Sequence, residues 1–273
     1  MSVKRVLIFD SGVGGLSVYE QIIKINPSIK CNYLFDNAYF PYGELARETL
    51  VNRTIQLLSD FMQQYPADLV VIACNSASTI ALNELRLHFS IPIVGVVPAI
   101  KPATQVTCNN VIGLLATPGT IEREYTSRLI EQFASDKTVL RIGSTRLVQL
   151  AEDKLIAKPV SKEDLKAILK PWLAGGDIIP DTLVLGCTHF PLLKQEIAEC
   201  FDKPIKLVDS GKAIATRVKQ LLADDNSGEA LPKEEHRAFY TQRFSEDQVL
   251  IKLTKSFAGY GLVALNYYSL KAN

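Results

Sequence analysis

One short stretch of sequence occurs twice in this chain, and it restricts the fold more than any other feature. Asp68–Ser78 and Asp181–Pro191 each begin with a run of Val, Leu and Ile that leads to a cysteine, Cys74 or Cys187. An unbroken apolar run of this length is typical of a strand buried on both faces in a parallel sheet. The residues after each cysteine favour the start of a helix. Each cysteine is therefore predicted to lie at the carboxyl end of a strand, where open α/β sheets bind ligands.

The predicted position also affects the chemistry of the two thiols. A helix N-terminus carries a partial positive charge, which favours a thiolate over a thiol. A single strand-end cysteine is usually no more than a small buried apolar residue, but two in matching positions indicate a shared function. Cys31, Cys108 and Cys200 have no motif around them, and we predict that they are structural.

The remainder of the chain alternates predicted strands and helices, as expected for parallel sheets with helices on their faces. The same order of landmarks occurs in both halves: a strand with a glycine-containing turn, then the strand with its cysteine, then a strand that begins near a proline. We therefore predict an α/β fold of two similar doubly wound domains with mainly parallel sheets. We expect a pseudo-twofold axis to relate them and the active site to lie in the cleft between them. The predicted first domain is 1–97 plus 210–273 with Asp10 and Cys74, and the second is 98–209 with Cys187 and His189.

The composition is that expected of a cytoplasmic protein with reduced thiols. Thirty Lys and Arg against 29 Asp and Glu leave a net charge of +1, which predicts neither nucleic-acid nor membrane binding. The run from Met1 into the predicted strand at Val6 does not resemble a signal peptide, and no apolar run is long enough to span a membrane. Five cysteines without a CxxC pair indicate neither a disulfide framework nor a zinc site. His88 and His236 lie in polar stretches and are predicted to be at the surface.

Two thiols that face each other across a cleft suit the inversion of a carbon that bears an acidic hydrogen. One base removes the proton from one face, and an acid delivers a proton to the opposite face. Such a site needs one thiolate and one thiol at rest, which exchange roles on turnover. His189, two residues after Cys187, is a candidate proton partner on that side, and Asp10 is the candidate beside Cys74.

Four motifs carry a resemblance to a known family: Phe9–Leu16, Phe40–Gly43, Ala73–Ser78 and Leu185–Leu193. In this order they closely resemble glutamate racemase, a family of the cofactor-independent aspartate/glutamate racemase superfamily. The resemblance extends from about Val6 to Ile214. It implies interconversion of L- and D-glutamate without a cofactor or metal, which supplies D-glutamate for bacterial peptidoglycan.

The resemblance also implies roles for individual residues. Cys74 is expected to act on D-glutamate and Cys187 on L-glutamate, with Asp10 and His189 assisting them. The implied substrate-binding set is Asp10, Ser11, Tyr42, Gly43, Asn75, Ser76, Thr188 and His189, and the implied second shell is Asp36 and Glu152. Ser76 stands where the family usually has Thr, and it keeps the hydroxyl. Family members commonly form homodimers, and a peptidoglycan precursor activates some of them.

Two other functions remain open from the sequence. The first is racemisation of another substrate, such as aspartate or a small diacid, although the Thr188-His189 pair and the Pro41-Tyr42-Gly43 loop favour glutamate. The second is a protein that binds a small molecule without turnover. A cysteine hydrolase is a weaker alternative. It gives Cys74 no role, and residues two apart beyond a strand are poorly placed to meet.

Overall fold

The computed structural model describes residues 3–173, 178–222 and 235–270. The chain forms two compact units, Met1–Val96 together with Gly211–Asn273, and Val97–Ser210. Each unit contains one parallel sheet with helices, which confirms the predicted fold class of two parallel-sheet α/β domains. No helix in the described ranges is long and apolar enough to cross a membrane.

The elements of the described residues are numbered along the chain. The strands are β1 Arg5–Asp10, β2 Lys30–Phe35, β3 Leu69–Ile72, β4 Ile93–Gly95, β5 Val111–Ala116, β6 Thr138–Gly143, β7 Thr182–Leu185, β8 Lys206–Val208, β9 His236–Tyr240 and β10 Leu262–Tyr267. The helices are α1 Leu16–Ile25, α2 Arg47–Gln64, α3 Asn75–His88, α4 Ile100–Val106, α5 Pro118–Glu122, α6 Glu124–Ala134, α7 Arg146–Leu155, α8 Lys162–Leu173, α9 Lys194–Ala198, α10 Gly211–Leu222 and α11 Asp247–Gly259. Two 3₁₀ turns lie at Tyr42–Glu44 and Phe190–Leu193.

The sheet of the first unit has the order β10-β9-β2-β1-β3-β4, and each of these strand pairs is parallel. The chain goes from β1 to β2 on one side and then crosses to β3 on the other. The carboxyl ends of β1 and β3 therefore lie side by side where the winding reverses, which is the position at which such sheets bind ligands.

Helices cover both faces of this sheet because its strands are apolar on both sides. α2 buries a stripe of side chains at helical spacing, Leu50, Thr54, Leu57, Leu58 and Phe61. The four apolar side chains of this stripe share a core with those of β1 and β3. On the opposite face, the rings of Tyr19 in α1 and Phe257 in α11 pack edge-on against the Tyr33 ring of β2.

The sheet of the second unit has the order β6-β5-β7-β8, again parallel throughout. This is the order of β2, β1, β3 and β4 in the first unit, so the predicted repetition of the strand order is confirmed. The backbone contacts beyond the strand ends repeat as well. Ala73 N donates to Phe9 O and Gly186 N donates to Leu115 O, both at 2.7 Å. Each donor is the residue immediately before a cysteine.

Several elements differ from the prediction. α4 and α7 were not predicted, and the stretch after Phe239 contains α11 and β10. β3 ends at Ile72, two residues before its cysteine. The sequence also predicts a helix end at Gly175-Gly176 and a polar break at Asp224–Gly228, and both lie outside the described residues.

His236 is part-buried, so its predicted surface position is wrong. Its Nδ1 accepts a hydrogen bond from Cys31 N at 3.1 Å, and its ring packs edge-on against Tyr19. Burial is the main cause that lowers its pKa, and Lys30 adds to the effect. The polar sequence around His236 does not reveal this environment, because the burial comes from β2 and α1.

Gly113 in β5 gives the first prediction. A Cβ at this position would lie 2.5 Å from Leu183 Cδ2 and 3.0 Å from the Trp172 ring, both in the core. We expect Gly113→Ala to lower the free energy of unfolding by about 1–3 kcal/mol, the usual range for overpacking. Urea denaturation measures the change. Gly259→Ala is the control because, apart from the backbone of its own helix and its chain neighbours, no described atom lies within 4 Å of its Cβ position. Equal stability of Gly113→Ala and wild type would contradict the prediction.

Candidate active site

The carboxyl end of β1 places a buried carboxylate next to Cys74. Asp10 is fully buried, and its Oδ1 accepts hydrogen bonds from Ser11 N at 2.6 Å and Ser11 Oγ at 3.3 Å. Ser11 Oγ also lies 3.7 Å from Cys74 Sγ, and either atom can be the donor. A continuous polar contact therefore connects Asp10, Ser11 and Cys74.

Glycine at position 15 is required by the close packing around Asp10. A Cβ there would lie 2.8 Å from the Tyr33 hydroxyl and 3.0 Å from Asp10 Oδ2. The Tyr33 hydroxyl donates to Gly12 O at 2.8 Å and holds the turn in place. The glycine-rich turn thus folds closely around the Asp10 carboxylate. This packing was not predicted from the sequence.

Cys74 is itself the N-cap of α3. Its Sγ accepts a hydrogen bond from Ala77 N at 3.5 Å, and its carbonyl accepts from Ser78 N at 2.8 Å. The predicted position of this thiol at a helix N-terminus is therefore confirmed. The peptide dipoles of a 14-residue helix favour negative charge at this point.

Next to the thiol, Asn75 has a donor without an acceptor. Asn75 and Ser76 are buried in the first turn of α3. Asn75 Nδ2 is a buried amide nitrogen for which the structure has no hydrogen-bond partner. Because an unpaired buried donor is costly, this group is available for a ligand oxygen.

The Tyr42–Gly43 segment lies in a 3₁₀ turn that packs on the same core as Cys74. The Tyr42 hydroxyl donates to Asp36 Oδ2 at 2.7 Å, and it is buried. Burial, with the Asp36 charge, raises the pKa of Tyr42 well above its usual value. The side chain is thus engaged within the protein, which leaves the backbone of this segment as the part that a ligand can use.

In the second unit, Cys187 lies at the carboxyl end of β7 beside a histidine. Cys187 Sγ is 3.8 Å from His189 Nδ1, so these two residues do meet beyond the strand, contrary to the expectation that they are poorly placed to do so. His189 Nε2 lies 2.8 Å from Glu152 Oε1. Both Cys187 and His189 are buried, and Glu152 belongs to α7.

The pKa of His189 is raised well above its usual value. Burial works in the opposite direction, but the hydrogen bonds and charges of Cys187 and Glu152 outweigh it. The hydrogen bonds and charges of Cys187 and Glu152 therefore favour the protonated form of the imidazole beside the Cys187 sulfur. A histidine between a carboxylate and a thiol is a common arrangement for proton transfer.

The surroundings of the two cysteines differ in one respect from the prediction. A helix was expected immediately after Cys187, but the structure has the 3₁₀ turn Phe190–Leu193 there, followed by the five-residue α9. Phe190 N donates to Cys187 O at 3.1 Å. The expectation of a helix N-terminus at this thiol is wrong, and the His189 imidazole lies beside the sulfur instead.

α7 supplies a second contact to this turn that was not predicted from the sequence. Lys154 Nζ donates to Leu192 O at 2.8 Å and pairs with Glu196 at 2.6 Å. Glu152 and Lys154 thus hold both ends of the segment that follows Cys187. The Lys154 contact was not predicted because α7 itself was not predicted.

The predicted site residues fall into two groups, one in each unit. The first unit contains Asp10, Ser11, Asp36, Tyr42, Gly43, Cys74, Asn75 and Ser76, and the second contains Glu152, Cys187, Thr188 and His189. Each group lies at the carboxyl edge of its own sheet. In the described part of the chain, no cluster of three or more His, Cys, Asp or Glu side chains could hold a metal ion.

Comparisons with known proteins agree in pointing to one family. Residues 11–218 match the model of the Asp/Glu/Hydantoin racemase family. The glutamate racemase of Klebsiella pneumoniae is 48% identical over 246 residues, which are 90% of this chain and 86% of that protein. The glutamate racemase of Vibrio cholerae is 50% identical over 253 residues, covering 92% and 93%.

One solved structure is similar over nearly the whole chain. It is Escherichia coli glutamate racemase in complex with L-glutamate and the activator UDP-MurNAc-Ala. It is 42% identical with a TM-score of 0.92, and the match covers 99% of this chain and 100% of that one.

The environment of His189 gives the second prediction. The chain has three histidines, so their ring signals can be followed separately by NMR. We expect His189 to titrate above the ordinary value of about 6.5 and His236 below it. Glu152→Gln should lower the pKa of His189, because it removes the carboxylate charge, and should leave His236 unchanged.

The sign of the linked stability follows from the raised pKa. Protonated His189 contributes to stability fully below about pH 6.5, and this contribution is lost as the pH rises through the folded-state pKa. Urea denaturation should therefore show that the advantage of wild type over Glu152→Gln shrinks as the pH is raised through that value. A His189 that titrates at or below its ordinary pKa would contradict the prediction.

Proposed function

This chain belongs to the Asp/Glu/Hydantoin racemase family. On that premise we propose that two cysteine thiols interconvert L- and D-glutamate by removing the Cα proton from one face and delivering a proton to the other. It is an isomerase of the glutamate racemase type, since relatives of that name are 48–50% identical over at least 90% of the chain. The observation that carries the mechanism is the repeated placement of Cys74 and Cys187, each just after a parallel strand and each with its own polar partners.

In the proposed reaction, the thiolate of one cysteine removes the Cα proton and the thiol of the other delivers a proton to the opposite face. The first cysteine is then a thiol and the second a thiolate, so the roles are exchanged for the reverse direction. We assign Cys74 to D-glutamate and Cys187 to L-glutamate, following the family resemblance. The mechanism requires the substrate Cα to lie between the two sulfurs.

Each thiol has a proposed assistant. Asp10 acts on Cys74 through Ser11, whose hydroxyl contacts both groups. His189, held by Glu152, exchanges its proton with Cys187. Proton transfer by a positioned side chain contributes about 10²–10⁴-fold to a rate, so the loss of either assistant is expected to be severe.

Glutamate needs donors for two carboxylates and an acceptor for its ammonium group. We propose that the donors are Ser11, Asn75, Ser76, Thr188 and the Tyr42–Gly43 backbone, and that Asp10 accepts from the ammonium. The unpartnered Nδ2 of Asn75 supports this assignment. The positive end of α3 also favours a carboxylate beside Cys74.

The biological setting is part of the proposal. D-glutamate made by this enzyme would enter bacterial peptidoglycan, so the role is in cell-wall biogenesis and cell shape. All five cysteines are free, which fits a reducing compartment such as the cytoplasm. We further propose a homodimer, which light scattering would measure.

A cavity in the first unit supports a second proposal, the binding of an activator. It has a volume of about 560 Å³ and is lined by Arg86, Arg217 and the β4 segment. Arg86 donates to Ile93 O through Nε at 3.2 Å and Nη2 at 3.1 Å, which fixes it at the wall. Guanidinium groups bind phosphates well. We therefore propose this cavity as the site for a uridine-diphosphate precursor such as UDP-MurNAc-Ala.

The third prediction concerns Cα exchange in deuterated buffer. Wild type should convert both enantiomers and incorporate solvent deuterium. Cys74→Ser should lose racemisation but still exchange the proton of L-glutamate through Cys187. Cys187→Ser should also lose racemisation but still exchange the proton of D-glutamate through Cys74. NMR of Cα–H and chiral chromatography measure the two outcomes, and losses of at least about 10²-fold are expected.

Cys108→Ser is the control, because this thiol is exposed and should not affect the reaction. If glutamate is inert and aspartate or another diacid exchanges, the substrate is wrong and the two-base mechanism stands. If nothing exchanges and glutamate still binds, the protein is a binding protein rather than an enzyme.

The fourth prediction tests the activator cavity. Arg217→Gln should leave the basal rate unchanged and raise the half-saturating concentration of UDP-MurNAc-Ala by about tenfold, because one phosphate-binding charge is lost. Arg128→Gln is the matched control, since Arg128 is an exposed arginine paired with Glu124 in the second unit. Normal activation of Arg217→Gln would exclude the cavity as the activator site.

A further inference from the structure

A buried polar cluster joins the Tyr42–Gly43 segment to two distant parts of the first unit. Its centre is Asp36, which follows β2, is fully buried and donates its backbone N–H to Asp10 O at 3.0 Å. The Asp36 carboxylate accepts from the Tyr42 hydroxyl at 2.7 Å, from Arg53 Nε and Nη2 at 2.8 Å each, and from Thr241 Oγ1 at 2.5 Å. We call Asp36, Tyr42, Arg53 and Thr241 the Asp36 cluster.

Arg53 balances the charge of this cluster. The Arg53 side chain is 13% exposed, and its guanidinium forms a two-pronged ion pair with Asp36. A buried carboxylate requires such a partner, since a buried charge without one is strongly destabilising. The guanidinium also lies over the Tyr39 ring, 4.5 Å from its centroid. Arg53 therefore restrains the loop that leads to Tyr42 at two points.

Thr241 connects the same loop to the C-terminal stretch. β2 and β9 end as the pair Phe35 and Tyr240, and side chains continue the pairing beyond that point. Thr241 Oγ1 accepts from Ala38 N at 3.1 Å while it donates to Asp36. Asn37 Oδ1 accepts from Thr241 N and Gln242 N, both at 2.9 Å.

We propose that Arg53 and Thr241 are positioning residues for the substrate, which act by orienting Asp36 and through it Tyr42. Tyr42 packs against the Phe9 ring and lies in the same core as Cys74, so its orientation sets where the Tyr42–Gly43 backbone lies beside that thiol. The proposal rests on the proposed function, which assigns this backbone to a substrate carboxylate. It gives the C-terminal stretch a role in substrate binding.

Thr241→Val is the decisive variant because it keeps the shape of the side chain and removes the hydroxyl. We expect KM for both enantiomers to rise about tenfold while kcat stays within about threefold, since substrate contacts shift and the thiols are untouched. Thr241→Ser restores the hydroxyl and should restore KM. Arg53→Lys keeps the charge without the two-pronged geometry and should also raise KM, so it serves if Thr241→Val folds poorly.

Tyr268→Phe is the matched control for a merely structural effect. The Tyr268 hydroxyl donates to Asp60 Oδ2 at 2.5 Å. Like the Thr241 hydroxyl, it therefore connects the C-terminal stretch to an earlier part of the chain, here α2, through a hydrogen bond to an aspartate. This variant should lower the melting temperature and leave KM at the wild-type value. Hydrogen exchange measured by mass spectrometry should be faster over residues 36–45 in Thr241→Val and unchanged there in Tyr268→Phe.

The outcomes separate this proposal from the proposed function. If wild type racemises glutamate and Thr241→Val keeps the wild-type KM, the positioning role is wrong and the function stands. An equal rise of KM in Tyr268→Phe would also overturn the positioning role. A wild type that is inert on glutamate would overturn both proposals.

Discussion

Two backbone hydrogen bonds determine where the cysteine sulfurs can lie. Ala73 and Gly186 each donate to the carbonyl one residue before the end of the neighbouring strand, β1 or β5. Because the strands are parallel, this contact brings the next residue, Cys74 or Cys187, out at the carboxyl edge of its sheet. The polar groups of each site are then arranged around a sulfur whose position the sheet has already fixed.

The two edges use different means to surround the sulfur. Cys74 receives the backbone N–H of a long helix and the Ser11 hydroxyl, with the Asp10 carboxylate behind it. Cys187 is followed by a single 3₁₀ turn, and the His189 imidazole, which also contacts Glu152, lies beside its sulfur. The repeated strand order thus supports two unlike proton environments.

The sequence predicts much of the sheets because a strand buried on both faces is an unbroken apolar run, as at β3 and β7. It predicts the cysteine positions for the same reason. It does not predict the contacts of Asp36, since Thr241 lies 205 residues away and neither residue has a local pattern. The 3₁₀ turn after Cys187 was also missed, because Pro191 fits the first turn of either helix type.

The difference between the two sulfur environments has a thermodynamic limit. Enantiomers have the same free energy in water, so the equilibrium constant of a racemisation is one. The ratio kcat/KM must therefore be equal in the two directions, however unlike the helix N-terminus at Cys74 and the histidine at Cys187 are. For the proposed reaction, the asymmetry of the site can only make kcat and KM differ between the enantiomers in the same proportion. The enantiomer with the higher kcat must then also have the higher KM.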